Sequence, residues 1–274
     1  MGNPSNQFAE IAVQNMFVSS STQNAKLGQR AALNDGRVFR YPRARAVDLV
    51  AGNVIQGPAT VAGALTLAMQ TTSGGTSPGS TSISVTCASA VSTGFYNDGF
   101  LMVASGSGAG GMYKIEWFKA MGATGSELGA SISTGAIGEF RLYFEDAIPA
   151  LTNMTLGVST SKISLIPNPY MNVVAAPITT LTGPIVGAAT YVIKATEYGW
   201  LQTWGPCAML HNDTTALGNV LVGVAATIGR VEGAVGGTTG ATILGNLMKS
   251  PIIGYNMAVG VQGEWRPVFL TIAP

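Results

Sequence analysis

The chain has 274 residues, of which 47% are hydrophobic and only 10% are charged, and its formal net charge is +1. Soluble domains usually carry about 25% charged residues. This composition favours a protein whose neutral surface meets other chains, with a compact monomer covered by threonine and serine as the alternative. A nearly neutral chain creates no strong field for nucleic acid or anionic membranes, so we expect neither as a partner.

The first residues of the chain do not predict a signal peptide. Residues 1–7 lack the basic start and apolar stretch of a signal peptide, and no run of about 18 apolar residues predicts a membrane helix. We therefore expect synthesis in a cytoplasm. Cys87 and Cys207 lie far apart in sequence, and the chain has a single histidine, His211. We expect two buried free thiols, no metal and no cofactor.

Residues 1–45 are predicted to form an extended N-terminal arm. Residues 26–45 hold six of the 14 lysines and arginines, with Asp35 as their one acid. The arginines of this segment suit ion pairs with a neighbouring subunit, while contact with nucleic acid and a solvated basic hairpin are the alternatives. The residues predicted to contact a partner are Arg37, Phe39, Arg40, Tyr41, Arg43 and Arg45.

Residues 46–175 are predicted to form an antiparallel β-sandwich or barrel. Ile83, Val85 and Cys87 alternate with serine and threonine, and Leu142 and Phe144 alternate with Arg141 and Tyr143. A period of two is typical of half-buried strands. The prolines of residues 167–184 remove ladder donors, which makes this segment the predicted linker.

Residues 176–274 are predicted to form a second, small β-barrel-like domain. Residues 197–210 hold two of the four tryptophans, and we expect a core strand or tight strand pair there. No strand alternates with a long amphipathic helix, which excludes a doubly wound parallel sheet. The predicted fold class is therefore all-β, with an antiparallel sandwich or barrel, the small second domain and the arm.

Two glycine motifs resemble those of enzymes but lack the required context. Residues 106–111 match GxGxxG, yet a strand-like segment follows instead of the helix that holds a pyrophosphate, which predicts a hairpin tip. Residues 75–79 match GxSxG, but Pro78 follows the serine and has no N–H to donate to an oxyanion.

The remaining polar motifs favour structure over catalysis. Glu145 and Asp146 are adjacent, so on a strand their carboxylates would point to opposite faces. Two Asn-Asp-Gly runs, at residues 34–36 and 97–99, are typical of tight turns, with Ca²⁺ ligands as the alternative. We expect that the protein is not an enzyme.

Two regions of the chain resemble structural proteins of tailed-bacteriophage virions, especially capsid decoration (cement) proteins. The first half contributes Leu27-Gly28-Gln29-Arg30, the run Asp35-Gly36-Arg37-Val38-Phe39-Arg40-Tyr41 and the glycine-rich segment 108–116. The second half contributes residues 198–208, Leu217-Gly218, Ile253-Gly254-Tyr255 and a final strand at 268–272.

The resemblance implies a mechanical function on the capsid surface of a virion. A decoration protein binds the major capsid protein and copies of itself, as a homo-dimer or homo-trimer, and stabilises the shell by bridging capsomers. The arm would reach the neighbour by strand addition or arginine pairing. Three other virion roles remain open, namely tail tube, head fibre and capsid subunit. A β-sandwich carbohydrate-binding module is the further alternative, because Trp117 and Trp265 could stack on sugars or fill a core.

Overall fold

The computed structural model describes residues 15–60, 67–68, 79–87, 94–106, 108–120, 138–144, 162–178, 180–223, 226–234 and 251–274. In these ranges the regular structure consists of β-strands, without an α-helix. All pairings between named strands are antiparallel. The predicted all-β, antiparallel fold class is confirmed. No helix within the same ranges is long and apolar enough to cross a membrane.

The chain divides into two compact units. Unit 1 comprises Met1–Pro58 and Pro169–Pro274, and unit 2 comprises Ala59–Asn168. The strands of unit 1 are β1 (Arg30–Ala32), β2 (Val38–Arg40), β3 (Val54–Gln56), β10 (Val174–Ala175), β11 (Ile185–Ala189), β12 (Leu201–Leu210), β13 (Val220–Val222), β14 (Glu232–Gly233), β15 (Ile252–Asn256) and β16 (Trp265–Thr271).

Unit 1 holds a ten-stranded sheet in the order β10-β3-β11-β12-β16-β15-β13-β14, with β2 pairing both β1 and β12. Because β3 lies between β10 and β11, the first 58 residues belong with the C-terminal strands. The division therefore differs from the expected domains 1–45, 46–175 and 176–274. Long-range strand pairing sets it, and a reading of local sequence pattern does not detect such pairing.

Unit 2 is an insertion between two segments of unit 1 and has a sheet of its own. Its strands are β4 (Leu67–Ala68), β5 (Ser82–Cys87), β6 (Phe100–Ser105), β7 (Met112–Ala120), β8 (Gly138–Phe144) and β9 (Lys162–Ile166). Their order in the six-stranded sheet is β4-β9-β6-β7-β8-β5. The strand β9 ends directly before Pro167, as the missing ladder donor of a proline requires.

The period of two seen in the sequence defines the core of unit 2. Ile83 and Val85 of β5 are buried with Leu142 and Phe144 of β8, and Tyr96 and Phe118 pack edge to face beside them. The intervening side chains Ser82, Ser84, Arg141 and Tyr143 are only partly buried. This half-buried alternation is the arrangement predicted for these strands.

Strand β12 is the central element of unit 1 and confirms the core strand expected within residues 197–210. Its Cys207 and Met209 side chains pack in one buried cluster with residues of β3, β11, β13, β15 and β16. Trp200, directly before the strand, is fully buried in a second cluster. The odd-numbered residues between Trp204 and Leu210 are buried, so the even-numbered residues lie on the opposite, outer side of the sheet.

Candidate functional site

The six residues predicted to contact a partner lie on β2 or within a few residues of it, and unit 1 engages most of them. Phe39 and Tyr41 are fully buried and pack with Ala31 and Trp200. The Tyr41 ring is 4.8 Å from the Trp200 ring and stacks on Tyr198 at 6.0 Å. These two aromatic side chains therefore pack on their own chain in this structure and are not offered to a neighbour.

The arginines of this segment alternate with the buried rings and reach the surface. Arg37 forms an ion pair with Asp35 at 2.8 Å, and Arg40 donates to the Gly28 carbonyl at 3.1 Å. Arg43 donates to Thr196 O and Asn172 Oδ1, each at 3.2 Å. Arg45 is exposed. Whether these arginines contact a partner stays a prediction.

The described part of the arm is therefore integrated with the body of unit 1 rather than extended. Strand β2 hydrogen-bonds to β12, and Ser20 bridges to Tyr198. Burying a large apolar side chain contributes about 1.5–3 kcal/mol, so the rings of β2 hold the segment against Trp200. The sequence predicts that Phe39 and Tyr41 contact another protein surface, but it does not reveal that this surface belongs to the same chain.

A different surface of unit 1 has the character of a contact site: the outer side of β12, β16, β15 and β13. Strand register places Pro206, Phe269, Tyr255 and Val220 in one row across the four strands. We call this surface the aromatic face. It comprises Trp204, Pro206, Ala208, Leu210, Val220, Tyr255, Trp265, Pro267, Phe269 and Thr271.

The rings of the aromatic face pack against one another along the sheet. Tyr255 stacks on Phe269 at 5.2 Å with an interplanar angle of 9°, and Trp204 meets Phe269 edge to face at 5.8 Å. Trp265 is 55% exposed and Tyr255 is 42% exposed. None of the ten side chains carries a charge. Exposing such a surface to water is unfavourable, and burying it in a protein interface lowers the free energy.

The dimensions of the aromatic face indicate how much of an interface it can supply. Trp204–Leu210 of β12, the seven residues of β16, the five of β15 and the three of β13 cover roughly 360 Å², at about 3.4 Å per residue and about 4.8 Å between strands. That is within the ~300–600 Å² of the largest apolar patch on a typical monomer, and it is less than half of the ~800 Å² per partner in a standard interface. Exposed Leu217, Ile252, Met257 and Val259 lie on or next to the same strands and can extend the area.

Two prolines of the aromatic face occupy central strands, where a missing N–H is normally excluded. Pro267 accepts a hydrogen bond from Met257 N at 3.0 Å and cannot return one, and the pairing of β15 with β16 ends at Asn256. Pro206 lies beyond Trp204, where the pairing of β2 with β12 ends. Each proline therefore sits where a ladder stops.

The polar side chains that most resemble a catalytic cluster are buried at the end of β12. His211 Nδ1 is 3.5 Å from Thr215 Oγ1, and Asn256 Nδ2 donates to the same hydroxyl oxygen. Burial lowers the pKa of His211, and the positive charge of Arg266 lowers it further. Asp213 turns its carboxylate to the backbone N–H of Gly233 and not to the histidine. This geometry is not that of a nucleophile, base and carboxylate in series.

The accessibility of this cluster indicates a structural role. His211 is fully buried and Thr215 is 4% exposed, so no substrate atom reaches either group in this conformation. A side chain on residue 260 would collide with both His211 and Thr215, which is why a glycine stands there. The cluster joins the loop after β12 to the end of β15. The sequence pattern does not predict this cluster, because Asn256 and Gly260 lie far from His211 along the chain.

The glycine motif at residues 106–111 forms a strand connection, as predicted. It joins β6 to β7, which pair with each other, and Gly110 N donates to Val103 O at 2.9 Å. A dinucleotide site needs a helix at this point. The motif at residues 75–79 lies outside the described residues except for Gly79, as do Glu145 and Asp146.

The turn predictions hold where the structure describes them. Residues 34–36 connect the paired strands β1 and β2, and Gly36 has a φ of 86°. Asp98 has a φ of 57°, a left-handed conformation that aspartate tolerates. Both features are typical of turns that need positive φ.

The cysteine for which the structure describes a side chain is a buried thiol. Cys207 is free, and burial raises its pKa to about 12, which leaves the thiolate unpopulated near neutral pH. Within the described ranges no three His, Cys, Asp or Glu residues group as metal ligands.

Protein-family models, curated protein sequences and solved structures yield no match to this chain.

Proposed function

We propose that this chain is a structural protein of a bacteriophage virion that binds the capsid surface and stabilises it by bridging neighbouring capsomers. The observation that carries the proposal is the aromatic face: ten uncharged side chains on four adjacent strands, with stacked rings and a half-exposed tryptophan. In a chain with only 10% charged residues, such a face favours permanent contact with another protein.

The positions of the motifs that resemble decoration proteins support this proposal. Residues 198–208 lead into and form most of β12, Ile253-Gly254-Tyr255 lie in β15, and the final segment is largely β16. These three segments are neighbours in one sheet, and they supply six of the ten side chains of the aromatic face. The resemblance and the physical character of the surface therefore point to the same strands.

The mechanism is linkage between binding and assembly. A protein that binds two capsomers at once must dissociate before they separate, so its binding free energy adds to the cost of rupture. The partners are the major capsid protein and further copies of this chain, as a dimer or trimer. Because the aromatic face supplies less than half the area of a standard interface, the remainder comes from neighbouring apolar side chains such as Leu217 and Val259, which are exposed.

The test of this proposal is co-sedimentation with purified heads of the phage that encodes the sequence. We expect wild-type protein to bind at saturation and Tyr255→Asp to bind at least about a hundredfold more weakly, because a carboxylate would be desolvated in the interface. Val47→Asp is the matched control, since Val47 is 68% exposed and lies outside the aromatic face. Equal occupancy of wild type and Tyr255→Asp would exclude the aromatic face as the contact surface. Failure of the wild type to bind any head would overturn the proposed function on the capsid surface.

A further inference from the structure

The outer side of unit 2 carries a second aromatic surface, which differs from the aromatic face by being charged. Trp117 of β7 lies opposite Tyr143 of β8, which lies opposite Ser82 of β5. The next row across the same strands is Lys119, Arg141 and Ser84. We call these six residues, with Glu116, the platform. Its inner neighbours Ile115, Phe118 and Leu142 are fully buried, so the two sides of the sheet are distinct.

A β-bulge brings Trp117 to the outside. The register of β7 with β8 shifts between Ile115 and Trp117, so Glu116 and Trp117 oppose a single step of the partner strand. Both are exposed, while Ile115 and Phe118 on either side are buried. In a regular strand one of two consecutive residues would face the core. Bulges commonly re-aim a side chain at functional surfaces, and here the result is an indole that is 50% exposed.

The side chains around the indole are those that bind sugars. An exposed aromatic ring offers a flat apolar surface for the C–H face of a pyranose, while hydroxyls and charged groups fix its orientation. Ser82 and Ser84 are partly exposed on the same side of β5. The Lys119 ammonium lies 5.4 Å from the centre of the Tyr143 ring, and Arg141 is directly opposite Lys119. Two cations beside an aromatic surface suit a carboxylate-bearing sugar.

Single-stranded nucleic acid is the other polymer that stacks on aromatic and basic sheet faces. Such sites draw in a polyphosphate with a positive groove, but here Glu116 is exposed beside the indole, and the whole chain has a net charge of only +1. A carboxylate repels closely spaced phosphates, yet it accepts hydrogen bonds from sugar hydroxyls. Charge therefore favours a glycan with sparse carboxylates over a nucleic acid.

We infer that the platform of unit 2 binds an acidic polysaccharide built of pyranose units, with Trp117 and Tyr143 as stacking surfaces and Lys119 and Arg141 as carboxylate ligands. This binding is independent of the contact proposed for unit 1. On a particle, it would let an attached protein hold a polysaccharide surface while the aromatic face holds its own partner.

Affinity electrophoresis of the full-length protein tests the inference. The protein migrates through native gels that contain alginate, which is acidic, or dextran, which is neutral, at about 0.15 M salt to screen weak charge attraction. We expect retardation in alginate that exceeds retardation in dextran. Trp117→Ala should weaken alginate binding about tenfold or more, and Trp117→Phe should retain most of it because a stacking ring remains.

The controls separate stacking from misfolding and from simple charge. Phe17→Ala removes another exposed ring, 48% accessible and in unit 1, and should bind alginate as the wild type does. Far-ultraviolet circular dichroism and melting temperature check that each variant is folded. Arg141→Gln should lose alginate binding while any dextran binding persists.

Three results would overturn the inference. One is unretarded migration of the folded wild type in both gels, and another is stronger retardation in dextran than in alginate. The third is full alginate binding by folded Trp117→Ala. A twenty-nucleotide oligothymidylate is the comparison probe. If the oligothymidylate binds the wild type but not Trp117→Ala, and alginate binds neither, then the ligand of the platform is a nucleic acid.

Discussion

At the scale of single residues, His211 shows how a polar group is kept in an apolar interior. Its Nε2 is buried without a hydrogen-bond partner among the described residues, and its Nδ1 approaches Thr215. A charged imidazolium would therefore be desolvated beside the cation Arg266, which explains the direction of its pKa shift. The partly buried carboxyl of Asp213 has its pKa raised, chiefly by desolvation, so its shift is opposite in direction to that of His211.

The pH dependence of stability follows from the lowered pKa of His211. Below its ordinary pKa of about 6.5 the unfolded chain binds a proton that the folded protein refuses. The contribution of His211 to the free energy of unfolding should therefore be constant above about pH 7.5 and fall as pH drops below about 6.5, with a slope of up to about 1.4 kcal/mol per pH unit.

Urea unfolding of the wild type and of His211→Gln between pH 8 and pH 5 measures this effect. The difference between the two proteins isolates the histidine, because Asp213 is present in both. A difference that does not change with pH would show that His211 titrates normally in the folded state.

At the scale of elements, β12 shows which features of a strand the sequence predicts and which it does not. Its position was predicted from two tryptophans, and the alternation in β5 and β8 was predicted from a period of two. These signals are local, since each strand carries its own pattern of buried and exposed side chains. Pro206 would have argued against a central strand from sequence alone. It is tolerated because β2 ends its pairing at Trp204.

The candidate surfaces were less predictable than the strands. Trp117 and Trp265 were recognised as possible stacking residues, but their exposure depends on a bulge and on the register between β12 and β16. Phe39 and Tyr41 were predicted to contact a partner, whereas in the structure both are buried against Trp200 of the same chain. In each case the deciding fact is which distant segment lies opposite, and a single sequence does not contain it in readable form.

The free edge of β12 beyond Trp204 is closed by a side chain. Gln202 Nε2 donates to the carbonyl oxygens of Trp204 at 3.0 Å, Gly205 at 3.2 Å and Pro206 at 2.8 Å. Gln202 is 1% exposed, so these bonds form away from water. The amide replaces the strand that would otherwise pair here.

Gln202→Leu should therefore lower the free energy of unfolding by about 1–3 kcal/mol, because buried carbonyl oxygens lose their donor. Chemical denaturation followed by tryptophan fluorescence measures the change. Gln262→Leu, at an exposed position, should leave the midpoint within error of the wild type. An unchanged midpoint for Gln202→Leu would mean that the carbonyl groups find other donors.

At the scale of the whole molecule, unit 2 is inserted at a point where unit 1 brings the chain back on itself. Gly57 lies so close to Pro169 that a Cβ on residue 57 would be 2.7 Å from the Pro169 carbonyl oxygen. The two ends of the insertion are thus adjacent within unit 1. Each unit also has its own buried clusters of apolar side chains.

Excision of residues 60–167, with a short Gly-Ser linker in their place, should leave unit 1 folded. Domains with separate cores and neighbouring termini tolerate such changes. We expect a β-type circular dichroism spectrum and a cooperative melt, together with the head binding proposed for the aromatic face and without alginate retardation. An excised protein that melts without cooperativity would show that unit 1 requires unit 2 to fold.

The insertion also dictates the order in which a growing polypeptide can be completed on the ribosome. The partners of β3 are β10 and β11, and the late partner of β2 is β12, all of them encoded after the inserted segment. The strands of unit 2, by contrast, are all complete by Ile166. The N-terminal strands of unit 1 therefore remain partly unpaired while unit 2 is translated. Unit 2 begins later on the ribosome but is the first unit that can complete its sheet.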